Sequence, residues 1–225
     1  MQEDVDLRAR ERAELVATLR AMGPDAPTLC AGWTAADIAA HLAISEQAKG
    51  VPLFVFNGIR LLVPARLTRR VIDGAQATGD RLNARMLARG WDAVLARLAA
   101  GPPRLYRYGS LAQLRTVEEW IHHEDVRRAS GLPSRAMTSP FEAALWRAGT
   151  TIARFPEFRL GREGLELDAG SGRRLLVGDG APARVRVTGP PGELLLYLAG
   201  RGSAAQVSVS GDDDDIRSIQ PGLRV

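Results

Sequence analysis

The sequence contains one cysteine, Cys30, and one lysine, Lys49, among 225 residues. A single thiol excludes an internal disulfide and any zinc site built from several cysteines. No uninterrupted apolar run reaches the roughly 18 residues that a membrane-spanning helix needs. The first residues, Met1-Gln2-Glu3-Asp4, are acidic where a signal peptide is basic. These absences predict a cytoplasmic protein with no membrane partner. Neither a collagen-like nor any other internal repeat is present. Lys and Arg number 30 against 26 Asp and Glu, a net charge of +4, and nearly all of the positive charge is arginine. Acidic residues are interleaved with those arginines, so no basic stripe forms and nucleic acid is not an expected partner.

What is present is an ordinary globular make-up, 45% hydrophobic and 25% charged, in a chain long enough for one core and a small second domain. Apolar residues recur at helical spacing from Val5 to Met22, before Gly23-Pro24. Thr34 and Asp37 have the form of a capping box, which opens a second helix running to about Lys49. Residues Val51 to Val63 read as a buried connector or short helix, Leu67 to Ala88 as a polar helix and Trp91 to Ala99 as a short one. Ser110 to Ala129 is the clearest helix, free of Gly and Pro and closed by Gly131 and Pro133. Another helix spans Ser139 to Arg154. After Pro156 short alternating segments predict strands at Phe158 to Leu160, Leu165 to Leu167, Arg173 to Val177, Arg184 to Val187 and Gln206 to Val209. A helix with proline in its first turn lies between the last two. The expected organisation is a helical domain over residues 1–155 and a small α+β domain over 156–225. The Asp212 to Asp215 run lacks the ligand alternation, glycine and closing glutamate of a calcium loop and reads as a solvated helix N-terminus.

The chain has three histidines, His41, His122 and His123. Glu118 and His122 are four apart on the clearest helix, as are Glu119 and His123, and that spacing puts each pair on one helix face where it can share a metal ion. A facing helix of a bundle supplies the further ligand in such sites, and His41 is the available one. Val117, Ile121 and Leu114 border the Glu118/His122 pair, whereas Glu119, His123 and Arg115 lie nearer the charged side, so the first register is favoured. A solvated surface pair is the competing reading of either pair.

Three stretches carry a resemblance. Gly32-Trp33-Thr34-Ala35-Ala36-Asp37-Ile38-Ala39-Ala40-His41-Leu42, then Glu118-Glu119-Trp120-Ile121-His122-His123-Glu124-Asp125, then Gly189-Pro190-Pro191-Gly192-Glu193-Leu194 ending in Gly200-Arg201 resemble the mycothiol-dependent maleylpyruvate isomerase family. The Leu-Cys-x-Gly-Trp and His-His-Glu-Asp-Val-Arg-Arg signatures most resemble an actinobacterial branch of it that is not the isomerase itself. The resemblance implies an α+β protein with an N-terminal DinB-like four-helix bundle and a small C-terminal sterol-carrier-like α+β domain. Carried over by motif, the family's metal ligands fall on His41, Glu118 and His122. Two histidines and one carboxylate leave coordination positions open, as in catalytic zinc sites.

Asp125 matches the aspartate of the family motif and either orients a ligand or pairs with Arg128 on the surface. Arg201 stands where the resembling isomerases have a Gly-Arg pair; as a catalytic residue it would clamp a carboxylate, and as a structural one it would meet the last carbonyls of its helix. Cys30 is either a buried small residue or a thiol with a ligand or redox role near the His41 helix.

Two functions remain in view. The first is a metal-dependent thiol transferase or isomerase, with a divalent metal, zinc above all, as cofactor and mycothiol as thiol cosubstrate, acting on a small electrophilic molecule. The second is a non-catalytic metal- or small-ligand-binding protein. The expected partners are a small-molecule thiol and an electrophilic substrate, in a monomer or homodimer.

Overall fold

The computed structural model describes residues 2–45, 78–103, 109–153, 164–177 and 182–219. Eight helices and a four-stranded sheet are found there, an α+β protein as the sequence predicts. The chain divides into two compact units, one of Met1–Tyr108 with His122–Leu132, the other of Gly109–Ile121 with Pro133–Val225. The expected connector over 51–63, the first part of the 67–88 helix and the expected strand at 158–160 lie outside the described residues.

The first unit contains α1 (Gln2–Met22), α2 (Ala35–Ser45), α3 (residues 78–87), α4 (Trp91–Ala100) and the last turns of α5 (Gly109–Ala129). The capping box forms: the Thr34 backbone N–H and hydroxyl donate to one Asp37 carboxylate oxygen at 2.9 and 3.0 Å. α2 is rich in alanine, and Ala35, Ala39, Ala40 and Ala43 are all fully buried. Small side chains let neighbouring helices approach closely, and Leu15 and Leu19 of α1 join Val94, Leu95 and Leu98 of α4 in the same core cluster. α5 is closed by a left-handed Gly131 (φ 74°), with the Leu132 N–H donating to the Arg127 carbonyl at 2.9 Å.

The second unit holds α6 (Ser139–Ile152), β1 (Leu165–Asp168), β2 (Arg174–Val177), β3 (Val185–Thr188), α7 (Pro191–Leu198), β4 (Ser208–Gly211) and α8 (Asp213–Ser218). The strand order is β2-β1-β3-β4, with β1 parallel to β3 and both outer strands antiparallel to their neighbours. Leu165, Leu167, Val185 and Val187 are buried, as are Leu194, Leu195, Leu196 and Leu198 of α7. The last strand begins two residues later than its sequence pattern predicts. The Gln206 N–H donates to the Glu193 carboxylate at 2.7 Å and is thereby taken out of the ladder. Asp212 caps α8 by accepting from the Asp214 N–H at 2.9 Å, so the acidic run is the N-terminus of a helix.

Candidate metal centre

Helical geometry alone places Glu118 one turn before His122 on α5. The boundary between the two units falls between Ile121 and His122, inside this unbroken helix. His41 lies past the middle of α2, half-buried, between the buried Ala40 and Leu42. The His41 and His122 rings meet edge to face, centroids 5.3 Å apart and planes at 76°. His41, Glu118 and His122 each bring a ligand atom, and these atoms all lie within 4.8 Å of one another. Two imidazole nitrogens and one carboxylate oxygen suit zinc and other divalent first-row ions. The donor set therefore fits the metal that the family resemblance implies.

The Nδ1 edge of His122 is occupied. Its Nδ1 is 2.9 Å from Asp125 Oδ2, and the Cys30 thiol donates to the same oxygen at 3.1 Å. With Asp125 ionised, Nδ1 carries the ring proton and Nε2 carries the lone pair that a metal requires. The Leu29 N–H donates to the Asp125 carbonyl at 3.2 Å, which ties the loop before α2 to α5. Asp125 is fully buried and meets His122 and Cys30. Arg128 pairs with the buried Glu124 at 2.8 Å, and Arg127 lies 3.6 Å from that same carboxylate. Cys30, His122 and Asp125 also satisfy a spacing compatible with a metal. There the members are joined to one another by hydrogen bonds.

His123 points elsewhere. Its Nδ1 meets Glu11 Oε1 at 2.7 Å and its Nε2 meets Thr18 Oγ1 at 2.8 Å, both on α1. The charged character expected for this side of α5 is not exposure: Arg115, Glu119 and His123 are all buried. Periodicity registered the polarity of these residues, but a helix buried on several sides takes polar groups inward when a partner such as Glu11 is there to meet them.

Trp33, which the sequence marked only as part of a motif, stands against both imidazoles, 5.2 Å from His41 and 6.3 Å from His122 between centroids. No periodicity signals such a contact, because Trp33 lies in a loop.

Arg201 follows the left-handed Gly200 (φ 87°) that ends α7, and its N–H donates to the Leu196 carbonyl at 2.8 Å. Its Nη1 donates to the Ala199 carbonyl at 2.7 Å and the residue is buried.

Comparison with known proteins bears on these residues. A family model described as the mycothiol maleylpyruvate isomerase N-terminal domain matches residues 5–127. A search of the curated proteins found no match. Among solved structures, a mycothiol-dependent maleylpyruvate isomerase aligns over 93% of this chain and 92% of its own, at 19% identity and a TM-score of 0.53. A histidine-to-alanine mutant of a mycothiol-dependent maleylpyruvate isomerase aligns over the same shares at 17% identity and a TM-score of 0.50. At these identities the likeness is one of fold.

Proposed function

The chain belongs to the mycothiol maleylpyruvate isomerase N-terminal domain family, and from that premise we propose that it is a metal-dependent mycothiol transferase or isomerase acting on a small electrophilic molecule. The observation that carries this reading is the convergence of His41, Glu118 and His122, with their ligand atoms within 4.8 Å of one another. A divalent metal bound there, which we take to be zinc, supplies the positive charge that keeps a thiol deprotonated at neutral pH.

The residues of the chain prepare that site. His41 and His122 would each offer an imidazole nitrogen and Glu118 a carboxylate oxygen. Asp125 holds the proton of His122 on Nδ1, so that Nε2 faces the ligand side. We assign Arg201 to the carboxylate of substrate or cosubstrate, which its planar guanidinium matches with two parallel hydrogen bonds. The same reading takes residues 1–155 as a DinB-like four-helix metal-binding bundle and 156–225 as a sterol-carrier-like α+β domain. It places the protein in the cytoplasm as a monomer or homodimer.

The test is turnover. Purified protein, with and without zinc, is mixed with mycothiol and a set of electrophiles beginning with maleylpyruvate, the compound named for the solved neighbours. Isomerisation or thiol consumption that needs both zinc and mycothiol is the expected result. Tight binding of both without any chemistry would instead identify a non-catalytic binding protein.

A further inference from the structure

A histidine side chain turns easily about its second torsion, because rotation between tetrahedral and planar atoms has broad minima. Two imidazoles present a fixed pair of nitrogens only if something holds both ring planes. Asp125 holds the Nδ1 edge of His122. The Trp33 indole stands beside both rings, its centroid 5.2 Å from that of His41 and 6.3 Å from that of His122: it is nearly parallel to His122, at 20°, and tilted by 57° to His41.

The backbone that carries the indole is itself held. The Trp33 backbone N–H donates to the Cys30 carbonyl at 3.0 Å, and the Thr28 hydroxyl donates to the Trp33 backbone carbonyl at 2.9 Å. The Cys30 N–H donates to that hydroxyl at 3.1 Å, and Pro27 and Thr34 pair across the base of the turn. One short loop thus supplies Cys30, which meets the Asp125 oxygen that also meets His122, and Trp33, which is nearly parallel to that ring.

We infer that Trp33 is a positioning residue, whose indole fixes the planes of His41 and His122 and thereby the directions of the two nitrogens offered to a metal. This rests on the function proposed above. The general reason is preorganisation, since a ligand set held before binding loses less rotational freedom when the ion arrives.

The test uses the full chain stripped of metal and titrated with Co2+, followed by visible absorption. Trp33→Phe keeps a ring; Trp33→Leu and Trp33→Met keep apolar bulk without one. The wild type and Trp33→Phe should agree in affinity to within about threefold, with the same band shape, whereas the ring-free variants bind about tenfold more weakly or worse with altered bands. Wild-type affinity and spectrum in a folded ring-free variant overturn the inference, even if that variant melts earlier, because earlier melting alone is what simple packing gives.

A second measurement needs no metal. Carbon-13 relaxation of isotope-labelled histidine rings should show His41 and His122 as rigid in Trp33→Phe as in the wild type and measurably more mobile about the second torsion in the ring-free variants. Unchanged ring mobility in those variants overturns the inference. A wild type that takes up no Co2+ defeats the metal-dependent function itself, while the ring relaxation still decides the role of Trp33.

Discussion

The Nδ1 atom of His122 lies 2.9 Å from Asp125 Oδ2, three residues further along the same helix, and both side chains are buried. This pairing determines which nitrogen of His122 is offered away from the helix. Replacing Asp125 with asparagine keeps the shape but loses the charge that fixes the ring proton. Zinc affinity should fall by roughly 10- to 100-fold, as for other residues that orient a metal-bound histidine. Competition with a chromogenic chelator measures it, and an unchanged affinity would remove Asp125 from the site.

The wild type should carry one divalent metal per chain after gentle purification, and elemental analysis is the check. His41→Ala and His122→Ala should lose it. His123→Ala should keep most of it and pay in stability instead, because it leaves the Glu11 carboxylate buried without its imidazole partner. Leaving a buried polar group without a hydrogen-bond partner costs about 1–3 kcal/mol. Metal loss in His123→Ala equal to that in His122→Ala would move the centre to the other side of α5.

Arg201→Ala should retain metal content while binding of thiol or substrate weakens by about 1.5–3 kcal/mol, the worth of a charge-assisted hydrogen bond. Calorimetric titration with mycothiol and with the electrophile reads this directly. The bond from Nη1 to the Ala199 carbonyl defines the competing outcome. A variant that binds both ligands normally and only melts earlier would show that the arginine serves to close α7.

Asp168, at the end of β1, gives a prediction about pH. The Gly170 N–H, at 2.9 Å, is the main cause that holds its carboxyl below the ordinary value, outweighing the upward push of desolvation, with Arg174 at 3.1 Å adding to it. A carboxyl lowered by folding stabilises the native state at pH values above its unfolded pKa, and that contribution disappears as pH falls through the lowered folded value. Urea unfolding of wild type and Asp168→Asn should therefore differ most near neutrality, and the gap should close in the acid range. A gap that stays constant with pH would mean that the carboxyl is not perturbed.

Among the described residues, the sequence by itself determined the helices, the sheet segments after residue 164 and the spacing of Glu118 and His122, because these follow from interactions between residues a few positions apart. Helical period puts residues four apart on one face whatever surrounds the helix. The capping box at Thr34 and Asp37 was legible for the same reason. The partners of the polar residues on α5 were not. Cys30 and Asp125 are 95 residues apart in sequence, and Glu11 and His123 are 112 apart. No local pattern encodes which of several buried polar groups will meet, since that depends on how α1, α2 and the loop at 28–34 pack around α5. Only the tertiary structure decided that His123 turns to α1, that Asp125 meets His122, and that Trp33 stands beside two imidazoles. Each follows from the same constraint: a polar group withdrawn from water must find its partner among whatever the fold brings within reach.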